Sequence, residues 1–292
     1  MGMPFITRAP NRAEEQLLAL MLSSFSDGSG NETEKDGTSR AGWREIERLF
    51  AEYFTGEKHS EDKDVFDVIA PDWDKPSIAY GISIKSKQLT GSKSIFHEHG
   101  DARAYLEIAN SPAKMWASIT KQTGLLPQDF TNKQSPQAIG DALLNTIKAW
   151  KDEGKQRFEK KNLGKTLDLG RSYYLTLSLS PYDGSSRDIH VCSFKMAFPK
   201  VSWTYRSGKC LRASDPDHPN EPLLDWYANS GGQLKYYPRF DSADFSSSVI
   251  KLKKVVALSI AKRAHSYFSD DFEKLRKQLD AKQIALIDKL LR

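Results

Sequence analysis

The sequence predicts a mixed α/β protein of the α+β type, in which a central mixed sheet is flanked by helices. Two kinds of apolar pattern predict this class. Apolar residues recur at helical spacing in the first half of the chain and near its end, whereas in 65–87 and 173–238 they alternate with a period of two. We also expect a β-rich elaboration in the second half, followed by C-terminal helices.

The composition is that of a globular protein. The chain has 292 residues, of which 28% are charged and 39% apolar, and we expect a single domain over 1–292. A net charge of +5 permits a polyanionic partner but does not require one, because acidic residues are mixed among the basic ones. The only cysteines are Cys192 and Cys210, which favours a reducing compartment. Without an apolar signal core or a run of membrane-spanning length, we expect a soluble intracellular protein.

Two helices are predicted before residue 55. The first covers 11–24 and is followed by 26–40, a stretch rich in Gly, Ser and charge that reads as a mobile linker or loop. The second covers 41–54 and also carries Glu47, one turn from the core-facing aromatic residues. Glu47 is either a rim glutamate whose carboxylate reaches solvent or a site residue. The predicted core-facing arc of the second helix consists of Trp43, Ile46, Phe50, Tyr53 and Phe54.

A β-hairpin is predicted from two short runs, 65–71 and 77–87, joined by the turn DWDKP. In the second run, strand alternation separates one face of large apolar residues from a face that carries Lys85. Pairing of the runs brings Asp67 and Lys85 close enough to act on one ion. The apolar face consists of Ile78, Tyr80, Ile82 and Ile84, and the other of Gly81, Ser83, Lys85 and Lys87.

A short strand running into a helix is predicted over 101–124, with Glu107 just before the helix. Ser111 suits the N-cap and Pro112 the first helical position. A long helix follows from 136 to 152 and can extend further. Two amphipathic helices are predicted over the last part of the chain, from about 246.

Three carboxylates and one lysine form the most informative constellation. Mg²⁺ prefers oxygen ligands, and one or two carboxylates with a substrate phosphate can hold it. A neighbouring ammonium group can orient or deprotonate an attacking water. Glu47, Asp67, Glu107 and Lys85 together therefore indicate a phosphodiester hydrolase.

On these residues the chain resembles the PD-(D/E)XK nuclease superfamily and, within it, the type II restriction endonucleases. The matching features are Asp67 in FDVIAP and Lys85 in ISIK, with a helix on either side. The resemblance implies an αβββαβ core over 41–180, preceded by the helix and loop of 1–40 and followed by a recognition and dimerisation elaboration over 181–292.

The resemblance also implies the function and the roles of the residues. The protein would be a Mg²⁺-dependent, sequence-specific endonuclease acting on double-stranded DNA as a homodimer in the cytoplasm of a prokaryotic cell. Asp67, Glu107 and Glu47 would ligate the metal, and Lys85 would serve the nucleophilic water. Ser83 would stand at the position where the family usually carries an acid.

That serine departs from the family pattern and leaves several alternatives open. Glu107 is the candidate for the missing carboxylate, and Glu98 is the second. Lys87 shares the face of Lys85 and can replace it or contact a phosphate. Asp72 follows Pro71 and so matches the letters PD of the motif, but it falls in the turn, and Asp67 is the better candidate ligand.

Weaker signals concern DNA contacts and metals. Lys87 is a candidate phosphate contact. The stretch SGGQLKYYPRF is either a tight turn with core aromatic residues or a source of contacts to phosphates or bases, through Lys235, Tyr236, Tyr237 and Arg239. The HEH sequence at 97–99 is expected to be a solvated loop. Core packing is expected rather than zinc binding for a possible Cys2His2 set of His190, Cys192, Cys210 and His218. An ordinary charged hairpin, a DNA-binding protein with a degenerate nuclease core, and a repair or mobile-element nuclease remain the alternatives.

Overall fold

The computed structural model describes residues 2–33, 39–56, 65–88, 103–130, 135–181, 185–206, 210–228, 232–255 and 257–291. The helices of these residues are α1 (Arg12–Ser24), α2 (Trp43–Thr55), α3 (Pro112–Thr123), α4 (Pro136–Lys161), α5 (Ile260–Tyr267), α6 (Ser269–Arg276) and α7 (Ala281–Leu291). The longer strands are β3 (Val68–Pro71), β4 (Ile78–Gln88), β5 (Leu106–Asn110), β7 (Tyr173–Leu179), β8 (Ser186–Lys195), β9 (Trp203–Arg206), β10 (Cys210–Ser214), β11 (Pro222–Tyr227), β12 (Gln233–Tyr236) and β14 (Ile250–Lys253). Two-residue strands are β1 (Glu32–Thr33), β2 (Ser39–Arg40), β6 (Thr166–Leu167) and β13 (Phe245–Ser246).

Two sheets form the centre of the protein. The larger has the order β13-β8-β7-β4-β3, with β14 also paired to β8 and β6 to β4. It is mixed, because β4 runs parallel to β7 while β3 and β8 run antiparallel to their neighbours. The second sheet is antiparallel, with the order β5-β12-β11-β10-β9. The prediction of a mixed α/β protein with a central mixed sheet flanked by helices is therefore confirmed.

The larger sheet buries both of its faces. One face packs against α1 and α2, with Ile46 and Phe50 of α2 beside Tyr80 and Ile82 of β4. The other face belongs to a second core that includes α3, α4 and the inner face of the five-stranded sheet. The structure thus has three layers: α1 and α2, the larger mixed sheet, and then α3 and α4 with the five-stranded sheet.

The predicted hairpin is present as β3 and β4. Val68 pairs with Ile82, and the face of β4 predicted to be apolar lies against α2, in a core that α1 shares. Burial of this face fixes the register, because a slip by one residue would turn Ile82 and Ile84 away from the core. On the opposite face, Ser83 and Lys85 make polar contacts with Asp67, beyond the part of β4 that packs in the second core.

Strand β5 does not join the sheet that contains β4, the strand before it in the chain. It follows β4 and leads into α3, yet it is hydrogen-bonded to β12 in the five-stranded sheet. The parallel neighbour of β4 is instead β7, reached after α3 and α4. The two sheets therefore exchange chain segments, and β8, which lies beyond residue 180, completes the larger sheet.

Three local expectations are wrong. The helix predicted from about 246 begins only at Ile260, because Ile250 and Leu252 alternate with lysines and pair with β8 as β14. Part of the loop expected over 26–40 is ordered as a ribbon of β1 with β2, while 34–38 lie outside the described residues. Trp43 is 55% exposed rather than part of the core arc of α2.

None of the helices in the described ranges combines the length and the apolar character that crossing a membrane requires.

Gly81 allows close packing directly behind the candidate site. A Cβ atom at this position would lie 2.3 Å from the ring of Phe66, the buried residue that precedes Asp67. We expect Gly81→Ala to lower the free energy of unfolding by about 1–3 kcal/mol, because the ring must shift. Urea unfolding measures the loss. Ser86→Ala, on an exposed position of the same strand, is the control, and equal stability of the two variants would contradict this packing.

Candidate active site

Asp67 and Lys85 meet at one end of the β3–β4 hairpin. The backbone N–H of Asp67 donates to Ile82 O at 2.9 Å, so that Asp67 continues the ladder one residue before β3. Lys85 Nζ lies 3.6 Å from Asp67 Oδ2, and both side chains are partly exposed, at 25% and 20%. The aspartate and the lysine therefore point to the same side of the sheet and are open to a ligand.

Asp67 is held in place by hydrogen bonds from β4. Its Oδ2 atom accepts the backbone N–H of Ile84 at 2.6 Å and the hydroxyl of Ser83 at 3.1 Å. These donors fix the orientation of the carboxylate. Among the described residues, no hydrogen bond engages Asp67 Oδ1, which is left for a cation or a substrate.

Ser83 contributes a hydroxyl group where an acid was the family expectation. It is 5% exposed and donates to Asp67, so it acts on the site by positioning that carboxylate. A neutral hydroxyl adds no negative charge. The second carboxylate of the site has to come from another element.

Glu47 of α2 supplies a second carboxyl group whose charge acts on the same pair. Burial, and after it the negative charge of Asp67, raise its pKa to about 7, against the lowering effects of Lys85 and Arg44. Like charges that share a partly desolvated site hold one proton more tightly. The structure thus brings Glu47, Asp67, Ser83 and Lys85 together, as the sequence predicts.

Glu107 has a different neighbour. It lies in β5 and pairs across the five-stranded sheet with Lys235, whose ammonium group feels its charge. No described interaction joins it to Asp67 or Glu47. In the described part of the chain, no group of three or more His, Cys, Asp or Glu side chains is placed to hold a metal ion. Of the three predicted metal ligands, Asp67 and Glu47 therefore act on each other, whereas Glu107 lies beside Lys235.

The alternative acids and the alternative lysine are resolved only in part. Asp72 lies in the turn, where it accepts the N–H groups of Asp74 and Lys75 at 2.8 Å and the hydroxyl of Tyr80. Glu98 lies outside the described residues, as does the HEH sequence of 97–99. Lys87 continues the face of Lys85 but lies over the ring of Tyr105, at 4.7 Å from its centroid.

Two of the predicted DNA contacts are occupied by the protein itself. Tyr236 faces the core, is 7% exposed and packs against Tyr174 and Phe198, so it offers no surface to DNA. Arg239 is 11% exposed and contacts the carboxylates of Glu221 and Asp241. Lys87 and Lys235 remain as candidate phosphate contacts.

The possible zinc set is not assembled. His190 and Cys192 contact each other, with 3.6 Å between the sulfur and the ring nitrogens, on a strand face of the larger sheet. Burial raises the pKa of the Cys192 thiol to about 12. Cys210 lies in β10 of the other sheet, and the described residues contain no metal-binding group that includes these side chains.

Sequence reasoning missed Tyr105 and Tyr227, two aromatic residues next to the candidate site. Both lie on the face of the five-stranded sheet that points away from the core, and both contact Lys235. The alternation of Tyr105 with the buried Leu106 and of Tyr227 with the buried Trp226 could have identified this face. Only the pairing of β5 with β12 brings them together.

The carboxyl groups of Asp67 and Glu47 are suitable ligands for a hard divalent cation. Two carboxyl groups that repel each other, one with an unengaged oxygen, are the oxygen ligands that Mg²⁺ accepts alongside water and phosphate. A bound cation would offset both causes of the raised pKa of Glu47, its burial and the negative charge of Asp67. The neighbouring ammonium group of Lys85 offsets the negative charge when no cation is bound.

The raised pKa of Glu47 predicts a pH-dependent stability of the metal-free protein. The folded state retains the proton up to about pH 7, whereas the ordinary pKa is 4.5, so the unfolding free energy falls as pH rises between these values. Glu47→Gln should therefore be more stable than the parent at pH 8, by about 1 kcal/mol after allowance for solvent screening. Urea unfolding in EDTA at pH 4.5, 6 and 8 measures the difference, and a gap that stays constant with pH would contradict it.

Comparison of the chain with models of known protein families, with curated proteins and with solved structures finds no match. The resemblance to the PD-(D/E)XK nucleases therefore stays a prediction from the residues.

Proposed function

We propose that the protein is a Mg²⁺-dependent endonuclease that hydrolyses phosphodiester bonds in double-stranded DNA, in the manner of a type II restriction endonuclease. The observation that carries the proposal is the convergence of Asp67, Lys85 and Glu47 at one end of the β3–β4 hairpin. A homodimer in the cytoplasm of a prokaryotic cell is part of the proposal and is supported by the resemblance alone.

The order of elements supports the proposal in part. Helix α2, the antiparallel pair of β3 and β4, the helices α3 and α4, and the return in β7 parallel to β4 follow the expected αβββαβ order. The third strand of that order, β5, is the departure, because it belongs to the second sheet. The catalytic lysine and aspartate do not depend on β5, since both belong to the hairpin.

Each residue of the site has a separate task in hydrolysis. A bound Mg²⁺ would stabilise charge on the phosphate and lower the pKa of a water molecule. Asp67 and Glu47 would hold the cation, Asp67 through the oxygen that β4 leaves unengaged. Lys85 would orient the attacking water or offset charge on the phosphate. Ser83 is a positioning residue that fixes Asp67 through Oδ2.

Glu107 is the residue whose proposed role changes most. Beside Lys235 in the five-stranded sheet, it is better suited to set the orientation of that lysine than to complete the cation site. The proposal accordingly needs only two carboxylates, a number that Mg²⁺ accepts when a substrate phosphate supplies further oxygens.

One alternative function has an observation in its favour. Ser83 in the usual acid position leaves the site one carboxylate short of the family pattern, as in a DNA-binding protein with a degenerate nuclease core. Such a protein would bind DNA without cutting it. A repair or mobile-element nuclease is the other alternative, and it would cut without requiring a fixed short sequence.

Incubation of supercoiled plasmid with protein and Mg²⁺ distinguishes these functions. We expect discrete fragments that EDTA prevents. A smear would indicate a nuclease without sequence requirement, and a gel shift without cutting would indicate the degenerate core.

Lys85→Ala should reduce cleavage by about 100-fold or more while retaining DNA binding, because an ammonium group acting on the water is worth that much. Lys165→Ala is the matched control, since Lys165 is exposed beside β6, which pairs with the opposite end of β4. Gel analysis of cleavage and a binding assay in Ca²⁺ measure both properties. Cleavage by Lys85→Ala at the rate of the parent would contradict the assignment of the lysine.

A further inference from the structure

Two lysines from different sheets share one aromatic ring beside the candidate active site. Lys87 Nζ lies 4.7 Å from the ring centroid of Tyr105, and Lys235 Nζ lies 5.4 Å from the same centroid. Lys87 belongs to β4 of the larger sheet. Lys235 belongs to β12 of the five-stranded sheet, and Tyr105 immediately precedes β5 of that sheet. The tyrosine thus joins the two sheets at the point where they exchange strands.

The aromatic framework around these lysines is fixed by further contacts. Lys235 Nζ also lies 4.4 Å from the ring centroid of Tyr227, whose hydroxyl donates to Asp225 Oδ2 at 3.4 Å. Asp225 is 1% exposed and accepts two hydrogen bonds from Arg212 at 2.7 and 2.6 Å. The ring of Tyr237 meets that of Tyr105 edge to face, with 5.7 Å between centroids. A lysine held over such rings loses less conformational freedom when it binds a ligand.

The two ammonium groups are suited to an anion rather than to an internal partner. Among the described residues neither forms an ion pair, although Glu107 acts on Lys235 from the neighbouring strand. Lys87 is exposed, and Lys235 is partly exposed. Two ordered ammonium groups without an ion pair among the described residues form a site for a doubly charged ligand or for two linked anions.

The spacing fits the backbone of a nucleic acid strand. Because both ammonium groups contact one ring, they are at most about 10 Å apart, and a DNA strand carries one charge per about 3.4 Å of helix axis. Neighbouring phosphates of one strand, which are farther apart than this axial rise because the strand winds around the helix, therefore match the pair. Lys87 follows Lys85 by two residues on the same strand face, about 7 Å farther along. The pair lies next to the position that the scissile phosphate would take.

We propose that Lys87, Tyr105 and Lys235 form a phosphate clamp, in which the tyrosine ring holds two lysines against phosphates that neighbour the scissile one. The proposal rests on the proposed nuclease function and adds which residues fix the DNA strand beside the cation site. The clamp acts through charge alone and is independent of Asp67 and Glu47. Glu107, which lies opposite Lys235 on the neighbouring strand, acts on that lysine through its charge.

The salt dependence of DNA binding tests the clamp. Anisotropy of a labelled duplex of random sequence, in Ca²⁺ and without Mg²⁺, gives the slope of log Kd against log salt concentration. Lys87→Gln and Lys235→Gln should each reduce the slope by about 0.9 and the double variant by about 1.8, one contact for each lysine. Lys87→Arg and Lys235→Arg should restore it, and Lys165→Gln, an exposed lysine at the far end of β4, should leave it unchanged.

Tyr105 variants separate a clamp from a stacking platform. Tyr105→Leu removes the ring and should lower the slope, whereas Tyr105→Phe keeps the ring and should lower it less. If Tyr105→Leu instead weakens binding equally at all salt concentrations, the ring stacks on a base and the clamp is wrong. Thermal unfolding of each variant shows whether it is folded before its slope is compared.

The outcome is distinguishable from that of the nuclease test. Unchanged slopes for Lys87→Gln and Lys235→Gln overturn the clamp even when wild-type protein cuts plasmid and Lys85→Ala does not. Reduced slopes support the clamp even when no cleavage occurs, and in that case the nuclease function is overturned. Absence of DNA binding by the wild-type protein overturns both.

Discussion

One carboxylate oxygen, Oδ2 of Asp67, connects the two strands on which the candidate site is built. It accepts a backbone N–H and a serine hydroxyl from β4 and lies 3.6 Å from the ammonium group of Lys85. These contacts depend on the register of the hairpin, and the register depends on the burial of Ile82 and Ile84 in the core beneath α2. The geometry of the site is therefore a consequence of how the core packs, and the charged groups are placed by apolar ones.

Placing the Glu47 carboxyl group in this position destabilises its ionised form, and the packing of α2 does not require a carboxyl group there. A carboxyl group with a pKa of about 7 is held where burial and a second carboxylate both oppose its charge. A glutamine in this place would relieve that opposition. Groups with perturbed pKa values gather at functional sites because the same opposition is relieved when a ligand of opposite charge binds. The two carboxyl groups with a lysine beside them therefore support a site for a cation and a phosphate more than they support an ordinary charged hairpin.

The parts of the fold that could be predicted are those whose pattern is local. Strand alternation identified both faces of β4, and the helical spacing of α2 placed Glu47 beside the core. What could not be predicted depends on pairing between distant segments. The pairing of β5 with β12 sets Glu107 opposite Lys235, and nothing in the strand itself indicates which sheet it joins. Likewise, the burial of Tyr236 depends on which face of β12 meets the core.

The most direct test of the central claim is to locate a divalent cation. Crystals soaked in Mn²⁺, which can substitute for Mg²⁺ and scatters anomalously, would show where the ion binds. We expect one anomalous peak with carboxylate oxygens of both Asp67 and Glu47 at about 2.0–2.2 Å, and none in a crystal of Asp67→Asn. No peak at these two carboxylates in saturating Mn²⁺, or a peak held by Glu107 without them, would contradict the account.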